Sequence, residues 1–315
     1  MTTTANVTTA SPVRRRAVLG GAALGVVAGA VGGLAGGVAL GQASNLPQQK
    51  PSGRRRFDGK IVMVTGGTSG IGRAAVKQFA AEGGRVVFCG RDEARGHEVE
   101  AEVKAAGGVA QFIRADVRSE DDIKALVDRT IDGHGRIDVA FNNAGISIEH
   151  PLHLYTTAEF DDVIATDLRG VFLCMKYQIP QMLKAGGGNI VVTSSSNAVA
   201  TTAKRGAYAA AKRALVGLVQ AAALDYAQQG IRINTLVPGT TDTPLIRRLV
   251  GMENVPDAAW KVGISQWAKS NVPGLQRVAT PEEVAAFALT LASDDHPYLT
   301  GGQFIIDGGK TAQGG

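Results

Sequence analysis

A phenol and an ammonium stand four residues apart in Tyr208-Ala209-Ala210-Ala211-Lys212, which puts both side chains on one face of a helix. A free phenol, with a pKa of about 10, is a poor base at neutral pH. A cation held beside it favours the ionised form. Thirteen residues before the tyrosine, Ser195 follows an apolar run at 189–193. That is the carboxyl edge of a strand, where parallel sheets present groups to ligands. A hydroxyl, a phenol and an ammonium form a set suited to proton transfer, provided that the fold gathers them in one cleft.

The positioning elements read as short apolar runs separated by helical stretches. Runs at 61–64, 85–89, 109–113, 137–142, 189–193, 232–236 and 303–306 have the β-branched character of buried strands. Stretches at 70–82, 93–106, 119–133, 157–183, 208–228 and 281–291 have helical patterning. The alternation predicts an α/β fold, a single doubly wound Rossmann-type parallel sheet with helices on both faces. A segment at 243–276 holds Leu245, Ile246, Leu249, Val250, Met252, Trp260 and Trp267 amid polar residues. It reads either as a lid over a weakly polar substrate or as simple packing onto the domain.

Between the first strand and first helix lies Thr65-Gly66-Gly67-Thr68-Ser69-Gly70-Ile71-Gly72. Glycines there permit a tight turn and let the backbone approach a pyrophosphate lying on the positive end of the helix. The spacing is G-x-x-x-G-x-G, so its position after the first strand carries much of the weight. The second strand ends Phe88-Cys89-Gly90-Arg91, with glycine where an acid would hold the ribose hydroxyls of NAD. Arg91 could hold a 2′-phosphate, so NADP(H) is favoured and NAD(H) is the alternative. A second reading makes Arg91 a solvated helix-start residue.

Composition narrows the field. The chain has 315 residues, 44% hydrophobic and 19% charged, with mean hydropathy +0.04. Such a chain is globular, and its two cysteines make neither a disulfide framework nor a four-thiolate metal site. His97, His134, His150, His153 and His296 lack metal-ligand spacing, and no metal is expected. The net charge of +5 resides in the first 56 residues, which hold seven cations and no acid. The remainder has 26 cations against 28 acids, which removes the case for a nucleic-acid partner.

That leader reads as an address. Arg15-Arg16-Ala17-Val18-Leu19 has the twin-arginine pattern and opens an uncharged run to about residue 40, diluted by eight glycines. Small residues near 39–43 suit cleavage. The expected organisation is a twin-arginine-type signal at 1–43, a polar linker at 44–56 and a catalytic domain at 57–315. Export to the periplasm or outside the cell follows. The alternatives are an uncleaved membrane anchor, the chain's one expected membrane contact, or a cytoplasmic protein with a misplaced start.

Taken together, these residues resemble the short-chain dehydrogenase/reductase family over about 57–309. The markers are Thr65–Gly72, Asp116, Asn142-Asn143-Ala144-Gly145, Ser195, Tyr208 with Lys212, Pro238-Gly239 and Asp307-Gly308-Gly309. The resemblance implies interconversion of a secondary alcohol and a ketone by hydride transfer. Tyr208 would act as general acid/base, Lys212 would lower its pKa and hold the nicotinamide ribose, and Ser195 would orient the substrate oxygen. The resemblance further places Gly66, Thr68, Ser69, Gly70, Ile71 and Gly72 at the dinucleotide. Asp116 and Val117 would border the adenine, Asn143 would lie beside the adenosine ribose, and Ala144 and Gly145 would also contact the dinucleotide. Thr241 and Thr243 would hold the carboxamide. Asp116 also reads as a plain turn residue and Thr243 as a helix cap. The partners implied are a small alcohol or carbonyl compound and further copies of the chain, a homotetramer by resemblance.

One position departs from the pattern. Where the family has asparagine in Asn-Leu-x-Gly, this chain has Asp167-Leu168-Arg169-Gly170. An ionised aspartate donates no hydrogen bond and places negative charge near Lys212, opposing phenolate formation. Asp167 is therefore read with the catalytic set, either slowing turnover and moving its optimum to alkaline pH or replacing the amide without consequence. The alternative function is a nucleotide-binding sensor or scaffold with little turnover.

Overall fold

The computed structural model describes residues 53–312. The proposed signal and residues 44–52 of the linker lie outside the described residues. Seven strands, β1 (Ile61–Thr65), β2 (Arg85–Gly90), β3 (Val109–Arg114), β4 (Val139–Asn142), β5 (Gly188–Thr193), β6 (Ile231–Pro238) and β7 (Gln303–Ile306), form one parallel sheet in the order 3-2-1-4-5-6-7. The strand order reverses between β1 and β4, and parallel sheets bind their ligands at that crevice.

Alternation along each strand supplies two cores. Val62, Val64, Val86, Phe88 and Phe141 point to one face, under α1 (Gly70–Ala81), α2 (Glu93–Ala105) and α9 (Pro281–Ala292). Met63, Val87, Cys89, Ile190 and Val192 point to the other, under α3 (Glu120–His134), α5 (Gly170–Lys184) and α6 (Gly206–Tyr226). Burial on both faces explains why the strands read as continuous apolar runs rather than alternating ones.

The stretch at 157–183 is not one uniform helix. It comprises α4 (Thr157–Ile164), a π-turn (Ala165–Arg169) and α5. The wider turn adds a residue without breaking the right-handed path, so the periodicity hides it. It turns Thr166 and Asp167 into the protein, where both are buried. Within 243–276 the structure has α7 (Pro244–Leu249) and α8 (Asp257–Asn271), whose Trp260, Ile264 and Ala268 form a separate small cluster with Val272 and Val278.

Residues 54–56, read as the end of a linker, are fastened to the domain. Arg56 grips Glu82 through Nε and Nη2 at 2.6 and 2.7 Å, with both side chains almost buried. Arg54 pairs with Asp295 and Arg55 with Asp58.

Candidate active site

At the carboxyl ends of the strands a cleft of about 260 Å³ opens across the β1/β4 reversal. Gly66, Thr68, Ser69, Gly70 and Ile71 line its floor. Gly66 has φ +68°, and a Cβ there would lie 2.9 Å from the Ala144 backbone. Ser69, at the N-cap of α1, makes no side-chain cap, so the first amides of this helix face the cleft unclaimed by a side chain. The first turn carries no acid. Thr166 Oγ1, on the π-turn bordering the same cleft, is buried without a hydrogen-bond partner among the described residues. This polar cradle fits a pyrophosphate. Gly72 is the exception among the predicted turn residues. It does not line the cleft, because it packs beneath the turn, where a Cβ would stand 2.1 Å from the Gly66 carbonyl oxygen.

The β2 and β3 ends bring Arg91, Asp116 and Val117 to one extremity of the cleft. Gly90 admits no side chain without movement, since a Cβ would lie 2.6 Å from Thr68 Cγ2. Asp116 is a turn residue, its Oδ1 accepting from the Arg118 amide at 3.0 Å, and it also lines the cleft. It takes a bidentate grip from Arg118, with Nε and Nη2 at 3.0 and 2.5 Å from Oδ2. Those bonds hold its carboxyl below the ordinary range. Asn143, Ala144 and Gly145 line the middle. The Thr65 hydroxyl accepts from the Asn143 and Ala144 amides at 3.0 and 3.1 Å, tying β4 to β1. The Asn143 side chain donates through Nδ2 to the Thr65 carbonyl and accepts at Oδ1 from the Thr193 hydroxyl.

Ser195, Tyr208 and Lys212 line the same cleft. Ser195 Oγ accepts from the Asn197 amide at 3.2 Å, while its proton has no acceptor among the described residues. The Tyr208 hydroxyl likewise has no partner among them. Lys212, one helical turn on, holds its Nζ 5.6 Å from the Tyr208 ring centroid and donates to the Thr193 carbonyl at 3.0 Å. Behind it, Asp167 Oδ2 faces Nζ at 3.1 Å and Oδ1 accepts from the Ile146 amide at 2.8 Å. Burial works to lower the lysine pKa, but attraction to Asp167 and Tyr208 outweighs it and holds the ammonium above its ordinary value. Burial pushes the Asp167 carboxyl up, against the pull of Lys212 and the Ile146 amide.

Thr241 and Thr243 close the cleft after β6. Thr243 occupies the N-cap position of α7 but caps nothing with its side chain, which lies against Gly70 instead. Sequence reasoning missed Asn197, which holds Ser195, and Arg205 and Lys310, which line the far end of the cleft. The signal for Lys310 was its place directly after Asp307-Gly308-Gly309. For Arg205 it was a cation three residues before Tyr208. Cys89 adjoins the cleft fully buried, and burial pushes its thiol up to about 12.

The fold and cleft define a Rossmann-type oxidoreductase. A family model described as Enoyl-(Acyl carrier protein) reductase matches residues 66–311. A 2,5-dichloro-2,5-cyclohexadiene-1,4-diol dehydrogenase of Sphingobium indicum is 41% identical over 258 residues, covering 81% of this chain and 98% of that protein. A 3beta-hydroxysteroid dehydrogenase of Mediterraneibacter gnavus is 38% identical over 266 residues, 81% of this chain and 96% of its own. The crystal structure of levodione reductase is similar with a TM-score of 0.76 at 34% identity, over 82% of this chain and all of that one. The chain belongs to the short-chain dehydrogenase/reductase family, whose members use NAD(P)(H).

Proposed function

We propose that the protein interconverts a secondary alcohol and a ketone, with Tyr208 as general acid/base, and that it prefers NADP(H) to NAD(H). A bound dinucleotide supplies the hydride acceptor in oxidation and the donor in reduction. In oxidation the Tyr208 phenolate takes the alcohol proton as the C–H bond breaks and the C=O bond forms; in reduction the phenol returns that proton to the carbonyl oxygen. Lys212 supports this by setting a buried positive charge beside the phenol ring, which favours the phenolate. Ser195, with its oxygen held by Asn197 and its proton free, is suited to donate to the substrate oxygen. Arg91 at the β2 end, beside a Gly90 that leaves no room for an acid, supports a 2′-phosphate.

The observation that carries this reading is the free Tyr208 hydroxyl in one cleft with Ser195 and a charged, buried Lys212. The test is Tyr208→Phe, assayed on a panel of secondary alcohols and ketones. Turnover should fall by about 10²–10⁴ with dinucleotide binding retained. Turnover equal to the parent's sinks the assignment. Tight dinucleotide binding by the parent with no turnover on any pair would identify a nucleotide sensor instead.

A further inference from the structure

The far end of the cleft carries charge that neither the dinucleotide nor the proton chemistry uses. The sheet order puts Arg91 and Asp116 at the β2/β3 extremity and Lys310, just beyond β7, at the opposite one. Arg205, close enough to act on the Lys310 charge, lines the same cleft, as do Leu245 and Ile246. The carboxylates lining it are Asp116, held by Arg118, and Asp167, held against Lys212. Neither faces this end.

Lys310 is the telling residue. Its ammonium makes no ion pair among the described residues. It touches Thr240 Oγ1 at 3.3 Å and stands 5.9 Å from the Trp267 ring centroid. The adjacent carboxylate of Asp307 is occupied by the amides of Gly309 and Thr311 and the Thr311 hydroxyl, at 2.9, 2.8 and 2.6 Å. Burial and the nearby Arg205 guanidinium both push the Lys310 ammonium below its ordinary value, with Asp307 pulling weakly the other way. Arg205 pairs with Glu149 and also lines the cleft, three residues before Tyr208. Two cations stand together under cover, and of the two carboxylates beside them Glu149 pairs with Arg205 while Asp307 is taken up by its own loop, so the Lys310 ammonium is left to favour an anion.

We propose that the substrate carries an oxyanion, a carboxylate or a phosphate, held between Arg205 and Lys310 while its carbonyl or carbinol group faces Tyr208. The proposal rests on the oxidoreductase reading above and narrows its substrate class. It also amends the expectation of a weakly polar substrate, because Leu245 and Ile246 then flank an anionic end rather than define the pocket.

Matched ketones test it with the full chain and its dinucleotide: 4-oxocyclohexanecarboxylate against its ethyl ester, and dihydroxyacetone phosphate against dihydroxyacetone. In at least one pair the anion should exceed its neutral partner about tenfold in kcat/KM, and the pair that does so distinguishes carboxylate from phosphate. Lys310→Gln should cut that ratio about tenfold through KM, and Lys310→Arg should restore it. Neutral partners used as well as anions in both pairs overturn the proposal, as does a Lys310→Gln effect that falls equally on both members or on the KM of the dinucleotide. Should no ketone be reduced, the oxidoreductase reading fails, and tryptophan fluorescence then decides the anion site alone. Binding of the acid but not the ester, weakened by Lys310→Gln, upholds it, and equal or absent binding overturns it.

Discussion

Replacing Asp167 with asparagine removes a buried negative charge 3.1 Å from Lys212 Nζ while preserving volume. At an effective dielectric of about 20, two unit charges at that distance attract by about 5 kcal/mol. Withdrawing both ions from water cancels much of that, and removing one partner of such a pair costs about 3–5 kcal/mol. The low end applies here, because burial already works against the Asp167 carboxylate. A loss of about 3 kcal/mol lowers Tm by roughly 6–12 °C in a domain of this size. The kinetic effect has a definite sign. Attraction to Asp167 is the chief influence that keeps Lys212 charged against its burial, so the variant loses the ammonium at lower pH. While still charged, that ammonium is no longer compensated and favours the phenolate more. Both effects move the pH profile of kcat/KM for alcohol oxidation towards acid. The parent's extra stability is complete below about pH 10.5 and disappears as pH rises through the raised lysine value, so the Tm difference should shrink in that window. Thermal melts and pH–rate profiles of the two proteins decide the matter. An unchanged Tm together with an unmoved profile refutes the reasoning.

Arg91→Ala should lower the ratio of kcat/KM for NADP to that for NAD by about tenfold or more, the worth of a charge-assisted bond to phosphate; an unchanged ratio removes the 2′-phosphate from that site. Arg56→Met should lower stability by about 1–3 kcal/mol in thermal or urea unfolding, since it deletes two charge-assisted bonds in an almost buried setting. Arg55→Ala, whose partner Asp58 is equally exposed, should leave Tm unmoved.

Much of the scaffold could be read because local and global demands coincide. The strands are apolar on both faces, and the turn glycines answer close contacts such as those of Gly66 with Ala144 and Gly72 with the Gly66 carbonyl. Tyr208 and Lys212 were legible because helical spacing alone fixes their common face. What escaped depends on the third dimension. The π-turn around Asp167 leaves the apolar rhythm intact, so sequence showed one helix where the chain takes a wider turn. Arg205 and Lys310 are more than a hundred residues apart, and only the folded cleft brings them together. Gly72 shares the turn's spacing yet serves packing, a distinction that spacing cannot express.

The seclusion of the two cysteine thiols has a consequence for how the folded domain meets electrophiles. A thiol held at about 12, as Cys89 is, presents almost no thiolate at neutral pH, and burial raises the Cys174 thiol well above its ordinary value too. Peroxide and alkylating agents therefore find no ready cysteine thiolate among the described residues. Neither thiol needs to change its covalent state when the medium passes from reducing to oxidising.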